Sequence, residues 1–498
     1  MAFSEYDKYD ALGLGELVRT GEVSARELVE TAIARIEQWN PHINAVVARR
    51  FDQALADADR LKPSSGQPFA GVPFLIKDLK QPHPDMALTC GSRFLQHDRP
   101  TTKSTLLNRM EAAGVIVLGR SASPEFGLVG YTEPELHGPC RNPWNLGHTP
   151  GGSSGGAAAV VASGLVPMAQ GGDGGGSIRI PASCCGLFGL KPSRGRNPIG
   201  PGPAGGFSSR LSVEHVLTRT VRDSAAMLDI TKGIEPWAPV STPGSESSFL
   251  AGLDRPPERL KIALLNEPLF NDDLEPACKE AVEQAARHFA SLGHEIEPAF
   301  PNEIDRQALA AAFLVLWCSE CAHGLQQLQD QAGRRAEAGD FEATTWVMAL
   351  VGGHVRGADV AAAVATIHAA ERTATEFLER FDMMLMPTLA SPPPVIGAFK
   401  PTPRVQRAIR AIRRLPLRPL TQLLHGRMRD EAFHWVGYTP FANITGQPAM
   451  TLPLHWTGDG LPVGVQLVGR FGEEQLLLRF ARQVEQAHPW FDRRPELR

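Results

Sequence analysis

Two glycine-flanked serine clusters are the residues of this 498-residue chain that are best suited to chemistry. The first is GGSSGG at 151–156 and the second is GDGGGS at 172–177. Glycines beside a serine permit tight backbone turns, expose peptide N–H groups and leave room for a substrate to approach. An acyl-transfer site requires such a backbone, so we predict that the chemistry of this protein lies within residues 149–192.

Ser177 is a candidate nucleophile because three glycines precede it. The N–H groups of this turn are unshielded, and we predict that they converge on the oxyanion of a tetrahedral intermediate, where one well-placed donor is worth roughly 3–4 kcal/mol. These donors belong to Gly174, Gly175, Gly176 and Ser177. A serine hydroxyl is a weak nucleophile and must lose its proton during attack, so the site also needs a base.

Lys77 is the candidate base. It follows the apolar segment GVPFLI (71–76), which is predicted to be a strand that enters the interior. Burial disfavours an ammonium ion, so a buried lysine can lose its proton near neutral pH and act as a general base. None of the fifteen histidines shows a recognisable pairing with either serine cluster. Composition alone leaves an alternative open, in which Lys77 reaches solvent at a strand end or pairs with Asp78.

Short apolar segments alternate with helical patterns along the chain. Ser24 and Glu27 form the pattern of a capping box ahead of an amphipathic helix, and residues 275–292 have helical periodicity. Alternation of strands and helices predicts an α/β fold with a sheet that helices cover on both faces. The predicted strands are 43–47, 71–79, 114–119, 260–265, 383–388, 449–454 and 463–469.

Composition narrows the class of protein. With 43% hydrophobic residues and a net charge of −4, the chain is expected to be globular, with no field that attracts nucleic acid or an anionic membrane. The first residues lack a secretory signal pattern, and no apolar run approaches about 20 residues, so we expect a cytoplasmic protein. Cys318 and Cys321 are predicted to be buried thiols on one helix face. We predict no metal and no cofactor.

An arginine-rich segment spans residues 404–429 and contains eight arginines, the first four at three-residue spacing. This spacing places them along one side of a helix. A solvated helix face is the first interpretation. The alternatives are a lid that receives acidic groups of a substrate and a surface that touches a membrane.

Seven short segments, one of which contains Lys77, resemble the amidase signature family, and the resemblance covers almost the whole chain. Around the candidate site they are Lys77, GGSSGG (151–156), GGSIRIP (175–181) and GLKP (189–192). Elsewhere they are FAGVPFLIKDL (69–79), RNPWN (141–145), FDMMLMPT (381–388) and FANITGQPAMTLPL (441–454).

The resemblance implies a Ser-cisSer-Lys triad that hydrolyses amides through an acyl-enzyme. In the family the two serines lie 24 positions apart, which selects Ser153 and Ser177. Ser177 then resembles the acylated nucleophile, Ser153 the bridging serine on a cis peptide, and Lys77 the base. Ser154 is expected to support the triad from the adjacent position.

Asp173 and Arg179 flank the nucleophile turn, and we predict that they pair across it and hold its amides in position. Gly174 departs from the family pattern, because relatives commonly have threonine there. A glycine keeps the backbone donor, and we expect it to make the loop more flexible.

The resemblance also implies one amidase domain over 1–498, with a large mixed twisted sheet. Its parts are N-terminal helices at about 1–60, the signature core at about 65–230, a variable substrate-pocket region at about 300–440 and a return to the sheet at about 440–498. The expected partner is a small amide, and a homodimer is expected from the family alone.

Three alternatives compete with a free-standing amidase. GGSSG (151–155) matches the G-x-S-x-G elbow of α/β-hydrolases, although a polar loop rather than a strand precedes it. A non-catalytic scaffold with an unused triad is the second. The third is the amidase subunit of a glutamyl- or aspartyl-tRNA amidotransferase, but TEPE (132–135) and SIRIP (177–181) differ from its usual motifs. The motifs look most like those of members that open cyclic amides of nylon-oligomer type, with linear amides, aryl amides and carbamates also open.

Overall fold

The computed structural model describes residues 3–198, 210–233, 235, 238, 240–243, 247–337, 339–400 and 433–496. Within them, eleven strands form one mixed sheet with the order β1-β3-β2-β4-β6-β5-β10-β11-β9-β7-β8. The strands are β1 (Val46–Arg49), β2 (Pro73–Lys77), β3 (Ile116–Ser121), β4 (Met168–Asp173), β5 (Phe188–Lys191), β6 (Val213–Thr218), β7 (Lys261–Leu264), β8 (Glu295–Pro298), β9 (Met383–Pro387), β10 (Ala449–Trp456) and β11 (Pro462–Gly469).

Helices pack against this sheet, which confirms the predicted α/β class with a large mixed sheet. The described α-helices are α1 (Ala11–Thr20), α2 (Ala25–Ile43), α3 (Phe51–Arg60), α4 (Thr105–Ala112), α5 (Gly155–Ala162), α6 (Arg179–Cys185), α7 (Val221–Thr231), α8 (Pro276–Ser291), α9 (Arg306–Ala332), α10 (Ala343–Gly352), α11 (Gly357–Arg380), α12 (Pro440–Thr445) and α13 (Glu474–Ala487). Short 3-10 helices lie at Tyr6–Lys8, Arg93–Leu95 and Glu125–Gly127.

Each of the seven segments predicted to be strands overlaps one, and the capping box of Ser24 and Glu27 begins α2. The sequence pattern does not predict β4, β5, β6 and β8. The strand β4 reads MAQGGD, and its two glycines disfavour a strand in isolation. Pairing with β2 on one side and β6 on the other stabilises it in the sheet. Tertiary context therefore outweighs local propensity here.

The centre of the sheet positions the candidate site. Strands β2 and β4 are parallel neighbours, so their C-terminal ends, at Lys77 and Asp173, lie at the same edge. Helix α5 begins directly after Ser154, and α6 begins two residues after Ser177. The two serine clusters therefore lie at two helix starts beside the end of β2.

Helix α9 is long and apolar enough to cross a membrane, which the sequence pattern did not lead us to expect. Of its most apolar window, 61% is buried inside the protein, because α9 packs against α10 and α11. Such burial is typical of a core helix. Cys318 and Cys321 are buried on α9, as predicted. The arginine-rich segment 404–429 lies outside the described residues.

Candidate active site

Lys77 and Ser153 meet in the interior. Lys77, the last residue of β2, is 1% exposed, and its Nζ lies 2.7 Å from the hydroxyl oxygen of Ser153. The carbonyl oxygen of Gly172 is 3.5 Å from the same Nζ. The peptide bond between Gly152 and Ser153 is cis, as the resemblance implies. A lysine amine and a serine hydroxyl at this distance can exchange a proton.

Burial lowers the pKa of Lys77 to about 7, because the interior disfavours the ammonium form. The carboxylate of Glu214 opposes this shift, while the nearby charge of Lys80 adds to it. Lys77 is therefore poised to give up and accept a proton near neutral pH. The alternative of a lysine that reaches solvent or pairs with Asp78 is wrong, since the Asp78 carboxylate accepts from Thr89 instead.

Gln170 contacts Lys77, and Glu214 contacts Gln170. The sequence motifs did not predict that either residue would support the lysine. The side-chain oxygen of Gln170 accepts the Lys77 backbone N–H at 2.9 Å, and its amide nitrogen donates to the Glu214 carboxylate at 2.7 Å. Gly172, the first residue of the second serine cluster, packs against Glu214, since a Cβ at Gly172 would lie 2.6 Å from a carboxylate oxygen of Glu214. Burial raises the pKa of Glu214, against the lowering effect of Lys80 and Lys77.

Ser177 and Ser154 connect the two serine clusters. The carbonyl oxygen of Ser177 accepts the Ser154 backbone N–H at 3.2 Å, and the Ser154 hydroxyl donates to the carbonyl of Gly172 at 3.2 Å. Ser177 is buried, with 8% of its surface exposed. In the part of the chain that the structure describes, the Ser177 hydroxyl makes no hydrogen bond, and its link to Ser153 stays a prediction.

Asp173 and Arg179 form a buried bidentate pair across the nucleophile turn. The Arg179 Nε donates to one carboxylate oxygen at 2.9 Å and Nη2 donates to the other at 2.8 Å. Burial alone would raise the pKa of Asp173, but the charge and hydrogen bonds of Arg179 outweigh it and hold that pKa well below its usual range. Asn443 in α12 also donates to Asp173 at 2.9 Å. The predicted pairing is present, and it joins the turn to the C-terminal part of the chain.

Gly176 was predicted to donate its N–H to the oxyanion, but in the structure this N–H is already used. Its N–H is donated to the Asp173 carboxylate at 2.8 Å, so it already has an acceptor. Its φ of 124° and its contact with Thr439, where a Cβ would lie 2.1 Å from the hydroxyl, require glycine. Among the described residues, the N–H groups of Gly174, Gly175 and Ser177 have no acceptor, which leaves these three for an oxyanion.

The comparison with known proteins now identifies the family. The sequence model of the amidase family matches residues 27–478. The chain belongs to the amidase family. The amidase is an enzyme that hydrolyses amide carbon–nitrogen bonds.

Relatives of the amidase match over almost its whole length. It is 37% identical over 495 residues to the 6-aminohexanoate-cyclic-dimer hydrolase of Pseudomonas sp. (strain NK87), which covers 98% of this chain and 96% of that protein. The solved structure of 6-aminohexanoate cyclic dimer hydrolase complexed with substrate has a TM-score of 0.89 and 34% identity, and covers 99% of this chain and 100% of its own. The structure of one subunit of glutamyl-tRNA(Gln) amidotransferase from Thermotoga maritima has a TM-score of 0.78 and 26% identity, and covers 100% of both chains.

The comparisons decide between the alternatives that the sequence left open. A free-standing amidase is supported over the amidotransferase subunit, because the similarity to the latter is lower in both sequence and structure. The α/β-hydrolase interpretation is wrong, since the family match covers both serine clusters and no described strand directly precedes Gly151. The scaffold interpretation is not supported, because Lys77 and Ser153 are in hydrogen-bonding contact.

The amidase holds its nucleophile turn with residues that single-segment motifs did not assign. Thr439 donates its hydroxyl to the carbonyl of Gly175 at 2.7 Å, and Asn443 donates to the backbone carbonyl of Asp173 at 3.0 Å. Asn443 lies within FANITGQPAMTLPL, so the family-like character of that segment was a usable signal. Glu214 and Thr439 had no comparable signal. The described residues contain no group of three His, Cys, Asp or Glu side chains placed to hold a metal ion.

A pH profile tests the electrostatics around Lys77. Since a general base must be neutral and the pKa of Lys77 is about 7, kcat/KM is expected to rise as pH rises through about 7. The Glu214 carboxylate raises that pKa, so Glu214→Gln should move this acid limb to lower pH. Glu111→Gln is the control, because the Glu111 carboxylate pairs with Lys103 and is not among the charges that shift the pKa of Lys77. An unchanged midpoint in Glu214→Gln would contradict the assignment.

A thermal melt tests the buried ion pair. Arg179→Met leaves the Asp173 carboxylate buried without its cation, which we expect to destabilise the fold by about 3–5 kcal/mol. Differential scanning calorimetry of both proteins measures the change as a lower Tm. The control is Arg26→Met, which breaks an exposed ion pair with Asp59 and should leave the Tm almost unchanged. Equal Tm values for wild type and Arg179→Met would show that the pair does not stabilise the turn.

Proposed function

We propose that this amidase is a serine amidohydrolase that cleaves a small linear or cyclic carboxamide through an acyl-enzyme on Ser177. The observation that carries the proposal is the 2.7 Å contact between Lys77 Nζ and Ser153 Oγ in a buried site that lowers the pKa of Lys77 to about 7. Such a site supplies a base at neutral pH without a histidine.

The proposed reaction has two half-reactions that use one proton relay. Neutral Lys77 takes a proton from Ser153 as Ser153 takes one from Ser177, whose Oγ attacks the carbonyl carbon of the amide. The N–H groups of Gly174, Gly175 and Ser177 hold the oxyanion. The relay then reverses and protonates the leaving amine nitrogen, so that the carbon–nitrogen bond breaks. Water attacks the ester by the same route and releases a carboxylic acid.

The cyclic dimer of 6-aminohexanoate is the first substrate to test. A hydrolase of this dimer from Pseudomonas sp. is 37% identical to the chain over nearly its full length. The triad residues determine the type of reaction, whereas the residues around the rest of the substrate determine which amide binds. Linear aliphatic amides, aryl amides and carbamates are therefore the other members of the proposed substrate class.

A substrate panel tests this proposal. Wild-type protein is incubated with the cyclic dimer, a linear 6-aminohexanoate dimer, an anilide, an aryl carbamate and glutamine, and new amines and ammonia are quantified. We expect release of amine from at least one of the first four and no release of ammonia from glutamine. Hydrolysis of glutamine alone would favour the amidotransferase alternative. Absence of hydrolysis across the panel, with the protein folded by circular dichroism, would overturn the proposal.

A further inference from the structure

Two stacked aromatic side chains of α9 lie over the nucleophile turn. Phe313 and Trp317 are one helical turn apart, so they lie on the same side of α9. Their ring centroids are 5.3 Å apart with an angle of 17° between the planes. Phe433 packs edge-on against Phe313 at 5.9 Å. The pair presents apolar ring atoms to the turn that carries Ser177.

The glycines of the turn make room for these rings. A Cβ at Gly174 would lie 3.1 Å from Cη2 of Trp317, and a Cβ at Gly175 would lie 3.2 Å from Cζ of Phe313. Neither glycine has a positive φ, so the backbone conformation does not require glycine at either position. A Cβ at Gly174 would also lie 2.9 Å from the Ser212 hydroxyl oxygen, so close contact with both Ser212 and the indole is the reason for Gly174. Trp317 packs directly against this loop, and its expected flexibility stays a prediction.

The aromatic pair lies beside the part of the turn that reaches solvent. Gly175 is partly exposed, Ser177 is 8% exposed, and the two rings are 6% and 7% exposed. Helix α10 holds α9 in place beside the pair, since a Cβ at Gly352 would lie 1.8 Å from the carbonyl oxygen of Cys318. Trp317 thus has a fixed position next to the N–H groups proposed for the oxyanion.

We propose that Phe313 and Trp317 form the wall against which the acyl half of the substrate packs, and that they select amides with an unbranched apolar chain beside the scissile carbonyl. The inference rests on the proposed function. The acyl half stays on Ser177 through both half-reactions, and its carbonyl oxygen binds at the glycines that touch the rings. An aliphatic chain that leaves this carbonyl can exchange water for aromatic surface.

A chain-length series tests this wall. The substrates are 4-nitroanilides with acetyl, butanoyl and hexanoyl groups, and release of nitroaniline is followed by absorbance. Each methylene that reaches the rings should raise kcat/KM of the wild type by about fourfold. In Trp317→Ala we expect less than about twofold per methylene, and in Trp317→Phe an intermediate dependence. Trp317→Leu keeps an apolar side chain of smaller volume and serves where the alanine variant does not fold.

The matched control is Trp490→Phe, which changes a buried tryptophan whose indole donates to the Arg219 carbonyl at the far end of the chain. It should keep the wild-type chain-length dependence. A second series holds the acetyl group and lengthens the amine half. Loss of chain-length dependence in that series instead would overturn the assignment to the acyl half.

Two failures are distinguishable. If the wild type cleaves none of these anilides or the panel amides, the proposed function fails. If the wild type cleaves the series and Trp317→Ala and Trp317→Leu both keep its full chain-length dependence, only the inference about the wall fails.

Discussion

Ser177→Ala is expected to lower kcat for the best panel substrate by about 10⁴-fold or more, because no other group can then form the acyl-enzyme. The side chain is small and makes no hydrogen bond in the described part of the chain, so its loss should leave the fold intact. Steady-state kinetics of wild type and variant measure the effect. Equal activity of the two proteins would sink the mechanism.

A fluorophosphonate probe assigns the nucleophile independently. Wild-type protein should be labelled at Ser177, and Ser177→Ala should not be labelled at all. Ser154→Ala is the matched control, since Ser154 lies next to the bridging serine and its hydroxyl bonds, among the described residues, to backbone groups of Gly172. It should still carry label on Ser177. Label found on Ser153 of the Ser177→Ala variant would make Ser153 the nucleophile.

Lys77→Met is expected to lower kcat by roughly 10²–10⁴-fold, the usual contribution of a general base. The variant removes the amine that lies 2.7 Å from the Ser153 hydroxyl oxygen and that would accept its proton. Methionine has a similar length and suits a buried position, so the protein should remain folded. Stopped-time assays at pH 8, where wild-type Lys77 is mostly neutral, give the comparison.

Lys77→Arg separates proton transfer from charge. An arginine keeps the positive charge but does not lose its proton in proteins, so it cannot act as the base. We expect it to be as inactive as the methionine variant, with folding checked by circular dichroism. Retention of more than about a tenth of the wild-type kcat would show that Lys77 acts through its charge alone.

Local motifs were sufficient to name the triad candidates and the α/β class. Lys77, Ser153 and Ser177 stand in short segments whose residue types and spacing serve one chemistry, and strong apolar segments predicted seven of the strands. Strand β4 was missed because its glycines disfavour a strand, and the fold retains it through pairing with both neighbours. The local sequence pattern also predicted Gly176 to be an oxyanion donor, because the sequence does not show that the Asp173 carboxylate accepts the Gly176 N–H.

The sequence alone determined the two serine clusters, the 24-residue interval between Ser153 and Ser177, and the choice of Lys77 as the base. Only the tertiary structure decided that Lys77 is buried against Ser153 above Glu214, and that Thr439 and Asn443 hold the nucleophile turn from 264 and 270 residues away. Trp317 likewise contacts Gly174 from helix α9. The physical reason is that desolvation, buried charge and contact depend on which distant segments the sheet brings together, and residue spacing along the chain does not encode that distance.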